Sequence, residues 1–185
     1  MKKNNWTGLV EQWIKFHSEG HFNEANEFYY SDLFDEIIEQ FKKKFSFSRE
    51  NELLISLLGF SPEPIILTAQ ALLPKMHVVI TTENVDSVDI LDKYLDTQPL
   101  MKKLGDENFM KIYNTLEQII TDNATRNTTI DITGGKKSMV AAASIFARDY
   151  GARLVYVDFD EYLKDLRKPY PGTEKLITAY SPEFL

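Results

Sequence analysis

Cysteine is absent from the 185 residues, which excludes disulfides and thiolate metal sites. Long apolar runs are missing too. No stretch approaches the roughly 20 residues that a membrane span needs. The N-terminal "MKKNNWTGLVEQWIKF" has two lysines but no unbroken apolar segment of the kind found in signal sequences. Positive charge is in deficit: 21 Lys and Arg face 28 Asp and Glu, a formal net charge of −7. That balance argues against nonspecific binding to long nucleic acid, which needs a broad basic face. It leaves room for a small anion held in one local positive pocket. There is no low-complexity linker and no internal repeat. What remains is ordinary for a globular chain, with 43% hydrophobic and 26% charged residues. The length suits one domain with an appendage and can bury a sizeable core without staples. These absences together read as a soluble, cytoplasmic protein.

Periodicity divides the chain near residue 48. Trp6, Leu9, Val10, Trp13 and Ile14, with His17, fall on one face of a first helix. After "EGHFNEANEFYY", Leu33, Phe34, Ile37, Ile38 and Phe41 mark a second helix. It closes with "KKKF", cations that suit the end of a helix dipole. Residues 1–48 therefore form a helical extension, and residues 49–185 a second unit of different grammar. There, short apolar runs alternate with helical patterns. "ELLISLLGF", "HVVITTEN", "TTIDITGG" and "ARLVYVDF" read as strands. "IILTAQALL", "VDSVDILDKYLD", "ENFMKIYNTLEQIITDNA" and "KKSMVAAASIFARDYG" read as helices, the last stopped by Gly151. "TQPLMKKLGDEN" is ambiguous and holds one short strand or none. The tail from Arg167 is rich in turn residues and adds at most a short edge strand. Alternation of this kind implies an α/β fold, a mostly parallel sheet with helices on both faces. Ligands then belong in the loops at the strands' C-terminal ends, here "GFSPEP", "TTEN" and "TGGKKS".

The most informative of these loops lies within "IDITGGKKSM", residues 130–139. A strand hands over to a helix through paired glycines and paired lysines. Glycines let backbone N–H groups approach an anion. A helix N-terminus adds unpaired donors and partial positive charge. Lys136 and Lys137 add mobile cations, and Thr133 and Ser138 add hydroxyls. The combination suits phosphate. The blander alternative is a tight Gly-Gly turn with solvated lysines, and the residues alone leave both open. A Walker A loop does not fit, because Ile130 stands five before Gly135 and Lys137 stands where Ser or Thr is required. No G-x-G-x-x-G occurs in the chain.

"DITGGKKSM" before an alanine-rich helix resembles the signature of CARF domains, the CRISPR-associated Rossmann fold. The likeness runs over residues 50–178. "LLISLLGFSPEPIILTAQALLPKMHVVITTEN" is similar to that fold's first strand, ligand loop, helix and second strand. "FMKIYNTLEQII" and "ARLVYVDFDEYLKDLRKPYPGTEKL" are similar to the segments flanking the signature. The resemblance implies a Rossmann-like fold and a homodimer that binds a cyclic oligoadenylate of type III CRISPR signalling, tetra- or hexa-adenylate, across its two-fold axis. It implies no cofactor and no metal. A fused or separate effector is implied as a partner. By position, Thr133, Gly134, Gly135, Lys136 and Lys137, with Ser138 beside them, are expected at ring phosphates and riboses. Ser61 is expected near an adenine or ribose, and Thr81, Thr82 and Asn84 in a second ligand loop. If the protein also cleaves the ring as a metal-independent ring nuclease, Lys136, Lys137 and Ser61 are the catalytic candidates. Such cleavage needs the ligand's own 2′-OH aligned with the scissile phosphate and donors for the phosphoryl charge. Glu63 and Glu83 depart from the expectation, as carboxylates beside an anion site. Either could serve as base if its pKa were raised.

Other candidates read as structural. His17 and His21 belong to the helical extension, and His77 has no partner at metal-ligand spacing. Asp158, Asp160 and Glu161 read as a solvated strand end rather than a Mg²⁺ site. Lys164, Arg167 and Lys168 read as a solvated face, and Tyr113 and Tyr156 as core. A generic nucleotide-binding domain remains an alternative. A transcriptional regulator is disfavoured, since no basic recognition helix is visible.

Overall fold

The four apolar runs become the centre of a sheet because they can be buried on both faces. The computed structural model describes residues 6–45, 52–82, 88–105, 108–123 and 127–184. Strands β1 (Leu53–Leu57), β2 (Met76–Thr82), β3 (Leu100–Leu104), β4 (Thr128–Asp131), β5 (Arg153–Phe159) and β8 (Glu174–Tyr180) form one six-stranded sheet in the order β3-β2-β1-β4-β5-β8. The pairs β3–β2, β2–β1, β1–β4 and β4–β5 are all parallel. The chain winds outward one way from β1 to β3, then crosses to β4. The C-terminal ends of β1 and β4 therefore sit side by side where the strand order reverses, the usual place for a ligand in such sheets.

Register decides which helix covers which face. On one side Leu53, Ile55, Leu57, Val78, Ile80, Ile130 and Leu154 form a core with α6 (Phe109–Asn123) and α7 (Lys137–Tyr150). Ile112, Leu116 and Ile119 of α6, and Met139, Ala142, Ala143, Phe146 and Ala147 of α7, are buried there. Fully burying each large apolar side chain is worth roughly 1.5–3 kcal/mol. The alanines of α7 let that helix lie close to the sheet. Gly151 ends it in a left-handed conformation at φ 67°.

The opposite face of the strands carries α4 (Glu63–Leu72), and α4 is tied to α5 (Val88–Tyr94) by Gln70 Nε2 donating to Tyr94 O at 2.7 Å. This side is unusually polar for a core. Ser56, Thr68, His77, Thr81, Thr129 and Asp131 are all buried there. Ser56 Oγ and His77 Nε2 are 3.0 Å apart. Burial holds the His77 pKa down at about 4, so this pair is a hydrogen bond between neutral groups at ordinary pH. His77 is thus a satisfied core residue.

The chain separates into two compact units, Ser46–Asp158 with Leu176–Leu185, and Met1–Phe45 with Phe159–Lys175. The helical unit contains α1 (Trp6–Ser18), α2 (Phe22–Phe28), a π-helical turn at Tyr29–Leu33 and α3 (Phe34–Phe45). Leu33, Phe34, Ile37, Ile38 and Phe41 are buried as their spacing predicts. Helix α2 lies inside the stretch expected to connect two helices. Ala25 is fully buried there and Phe28 meets Phe16 edge-on at 5.7 Å. Residues 159–175 group with these helices. They carry the two-stranded ribbon of β6 (Tyr162–Leu163) and β7 (Lys168–Pro169).

Three open points of the sequence are settled here. The run "ELLISLLGF" does not stay buried to its end: the strand stops at Leu57, and Phe60 is exposed. "PLMKKLG" does form a strand, β3, as the edge of the sheet. The tail supplies a full-length edge strand in β8. No helix among the described residues is long and apolar enough to cross a membrane.

Candidate functional site

The site is built from two strand ends pressed together. A Cβ placed on Gly134 would lie 2.2 Å from Leu57 O and 2.7 Å from Gly59 N, far inside contact distance. A Cβ on Gly59 would lie 3.0 Å from Gly135 N. The loops after β1 and β4 therefore touch main chain to main chain, which no residue but glycine allows at position 134. Gly135 also holds φ at +81°, the left-handed region that favours glycine. The paired glycines are thus first a device for joining the "GFSP" loop to the "TGGKK" loop. The third strand end joins through Leu58 N, which donates to Ile80 O at 2.8 Å.

Helix α7 starts at once after this junction. Lys136 is its N-cap, in extended conformation, with no side-chain cap. The first helical bond is Val140 N to Lys136 O at 3.0 Å. The amides of Lys137, Ser138 and Met139 precede it, at the positive end of the helix dipole. Lys136 and Lys137 are exposed, and Ser138 is half-buried. Donors and cations sit together in a chain that is otherwise acidic.

One residue that shapes the candidate site escaped the sequence reading. Asp131, fully buried at the end of β4, accepts from Thr133 N at 2.9 Å and from Thr133 Oγ1 at 2.5 Å, both at Oδ1. Thr133 Oγ1 in turn accepts from Val157 N at 2.7 Å. Asp131 and Thr133 thus pin the approach to Gly134 between β4 and β5. The signal was available: an Asp followed two residues later by Thr, a familiar side-chain-to-backbone turn. The Thr133 hydroxyl proton is already committed, so its part in the site is to shape the loop rather than to donate to a phosphate. Thr81 differs from expectation as well. Thr81 and Thr82 end strand β2 rather than forming a loop, and Thr81 is buried with its hydroxyl donating to Thr82 O at 3.1 Å. Ser61 is exposed, two residues beyond Gly59, and Glu63 is half-buried in the first turn of α4. Asn84 and Glu83 lie outside the described residues. Among the described residues no group of three or more His, Asp or Glu could hold a metal ion. Asp160 instead pairs with Lys175 at 2.5 Å.

Burial pushes the Asp131 carboxyl up to about 6 from the usual 3.8, against the opposing pull of its bonds from Thr133. Thr68 of α4 adds a smaller pull, although its hydroxyl and Asp131 Oδ2 stop short of an ordinary hydrogen bond. Between pH 4 and 6 the folded protein therefore holds more protons than the unfolded chain, and stability falls as pH rises through that window. Asp131→Asn keeps an acceptor for Thr133 and removes the charge. Its stability relative to wild type is expected to grow by on the order of 3 kcal/mol from pH 4 to pH 7. Urea midpoints across that range measure it, and a difference independent of pH refutes the assignment.

The fold and the loop chemistry define a Rossmann-like α/β domain with a candidate anion site at the β1/β4 switch point. No family model matches the chain. A CRISPR system endoribonuclease, Csm6 of Thermus thermophilus, is 32% identical over 139 residues, covering 69% of this chain and 29% of that protein. Can2 from Sulfobacillus thermosulfidooxidans, solved in complex with cyclic tetra-adenylate, shares the fold at 19% identity and a TM-score of 0.51, over 58% of this chain and 32% of its own. Enterococcus italicus Csm6 bound to cyclic hexa-2′-fluoro-hexa-dAMP does so at 12% identity and a TM-score of 0.53, over 74% of this chain and 44% of its own. These likenesses support a CARF-type domain of type III CRISPR systems. The chain spans less than half the length of each of these relatives.

Proposed function

We propose that this chain is a sensor domain that binds a cyclic oligoadenylate across a homodimer. The carrying observation is the junction of Gly59 with Gly134 and Gly135, which sets Lys136, Lys137 and the α7 N-terminus at the switch point of the sheet. A ring of phosphates presents closely spaced anions. Backbone donors and lysines gathered at one spot suit it, while the chain's net charge of −7 disfavours long nucleic acid. Domains of this fold in Can2 and Csm6 have been solved with cyclic adenylates, which supports the same class of ligand here.

The test is incubation with cyclic tri-, tetra- and hexa-adenylate in EDTA. At a ligand concentration 100 times Kd, linkage stabilises the protein by about 2.7 kcal/mol, or about 5–10 °C in Tm. One ring should give that shift, and sedimentation should show a dimer. Chromatography of the same samples separates a sensor, which leaves the ring intact, from a ring nuclease, which turns it into linear or cyclic-phosphate products. No shift with any ring overturns the reading.

A further inference from the structure

We propose that Phe60 is a stacking platform for an adenine base of the bound ring; this rests on the cyclic oligoadenylate reading. Phe60 is 99% exposed, the most exposed large hydrophobic side chain among the described residues. Its neighbours show that this exposure is imposed by the backbone. Leu58 is buried and its amide is bonded to β2. Gly59 is wedged against Gly135 N. Pro62 is buried and opens α4, with Ile66 N donating to Pro62 O at 3.1 Å. Only Phe60 and Ser61 bridge these anchors, so Phe60 projects from a short, fixed loop beside the α7 N-terminus. A ring held out in water gains nothing for folding. An aromatic face next to lysines and backbone donors is, however, the recurring arrangement for single-stranded nucleotides: cations take phosphates and the ring takes a base. Ser61, exposed beside it, is within reach of the same nucleotide's ribose.

The experiment compares Phe60→Ala, Phe60→Leu and Phe60→Trp in titrations with cyclic tetra- and hexa-adenylate. Alanine and leucine should weaken binding by about 5- to 150-fold, and tryptophan should restore it. Leucine is decisive, because it keeps apolar area but has no π-face. Melting of the ligand-free protein should not change, since nothing in the fold rests on this ring. Wild-type affinity in the alanine or leucine variant overturns the proposal. So does dissociation of a ligand-free dimer by Phe60→Ala, which would show the ring packing on a second copy. If wild-type protein binds the ring and Phe60→Ala binds it equally, only this assignment fails. If wild-type protein binds no ring, the sensor reading fails with it.

Discussion

Replacing Lys136 and Lys137 together by glutamate should abolish cyclic oligoadenylate binding while leaving the fold intact or slightly firmer. Each lysine–phosphate bond is charge-assisted and worth about 1.5–3 kcal/mol when removed. A single Lys→Ala change should therefore cost about 10- to 100-fold, and the double reversal, which adds repulsion, more than about 1000-fold. The sign of the stability effect makes the result readable. Both side chains are exposed, and both stand at the N-terminal end of α7. Cations there oppose the helix dipole, whereas carboxylates favour it by about 0.3–1 kcal/mol each at exposed sites. A loss of binding together with an equal or higher Tm cannot then be dismissed as unfolding. The salt dependence of the remaining affinity should flatten in the single variants, because fewer counterions are released. Binding that survives the double reversal, at unchanged salt slope, would return the lysines to solvent and leave "TGGKKS" as a tight turn.

Much of this architecture was legible in the sequence because burial leaves a pattern. The four central strands are short apolar runs with β-branched residues, and sheet interiors demand those. Helices α6 and α7 declared themselves by Ile112, Leu116 and Ile119, and by the alanines before Gly151. The edges were harder. Strand β3 carries Lys102 and Lys103, the kind of charge that keeps an exposed edge from pairing with another chain, and that charge hides the strand's own signal. Helix α2 is seven residues long with one fully buried position, too short for a period to emerge. The site divides in the same way. Glycines and lysines announce their loop by composition. Asp131 and Thr133 act through hydrogen bonds between β4 and β5, partners that only the folded register brings together. Phe60 stood both at the end of an apolar run and in the loop "GFSPEP", and the stop of β1 at Leu57 with the ring exposed decides for the loop.

Gly134→Ala should be the most damaging single-atom-scale change in this domain. The new methyl would lie 2.2 Å from Leu57 O and 2.7 Å from Gly59 N. Both are main-chain atoms at the end of the central strand β1, so no rotamer change can relieve the clash. One of the two loops must move, and Leu57 is held by its pairing with Ile80 of β2, next to Ser56 paired with Asp131 of β4. Overpacking of this kind costs about 1–3 kcal/mol and at times more, which corresponds to a Tm lower by roughly 2–12 °C for a domain of this size. Gly135→Ala tests a different mechanism. Its methyl would meet Leu57 Cβ at 3.0 Å, an atom set by the strand backbone, and φ of +81° strains any L-residue by about 1–2 kcal/mol. Gly59→Ala, 3.0 Å from Gly135 N, should be the mildest of the three. Urea unfolding gives the order of stability, and titration with cyclic oligoadenylate under fully folded conditions gives the order of binding. If the junction both holds the two loops together and sets the donor geometry, the orders agree, with Gly134→Ala worst on each. Wild-type stability in Gly134→Ala would show that the strand ends do not need this close approach. Lost binding with preserved stability would place the glycine's role wholly in the ligand's access to the backbone.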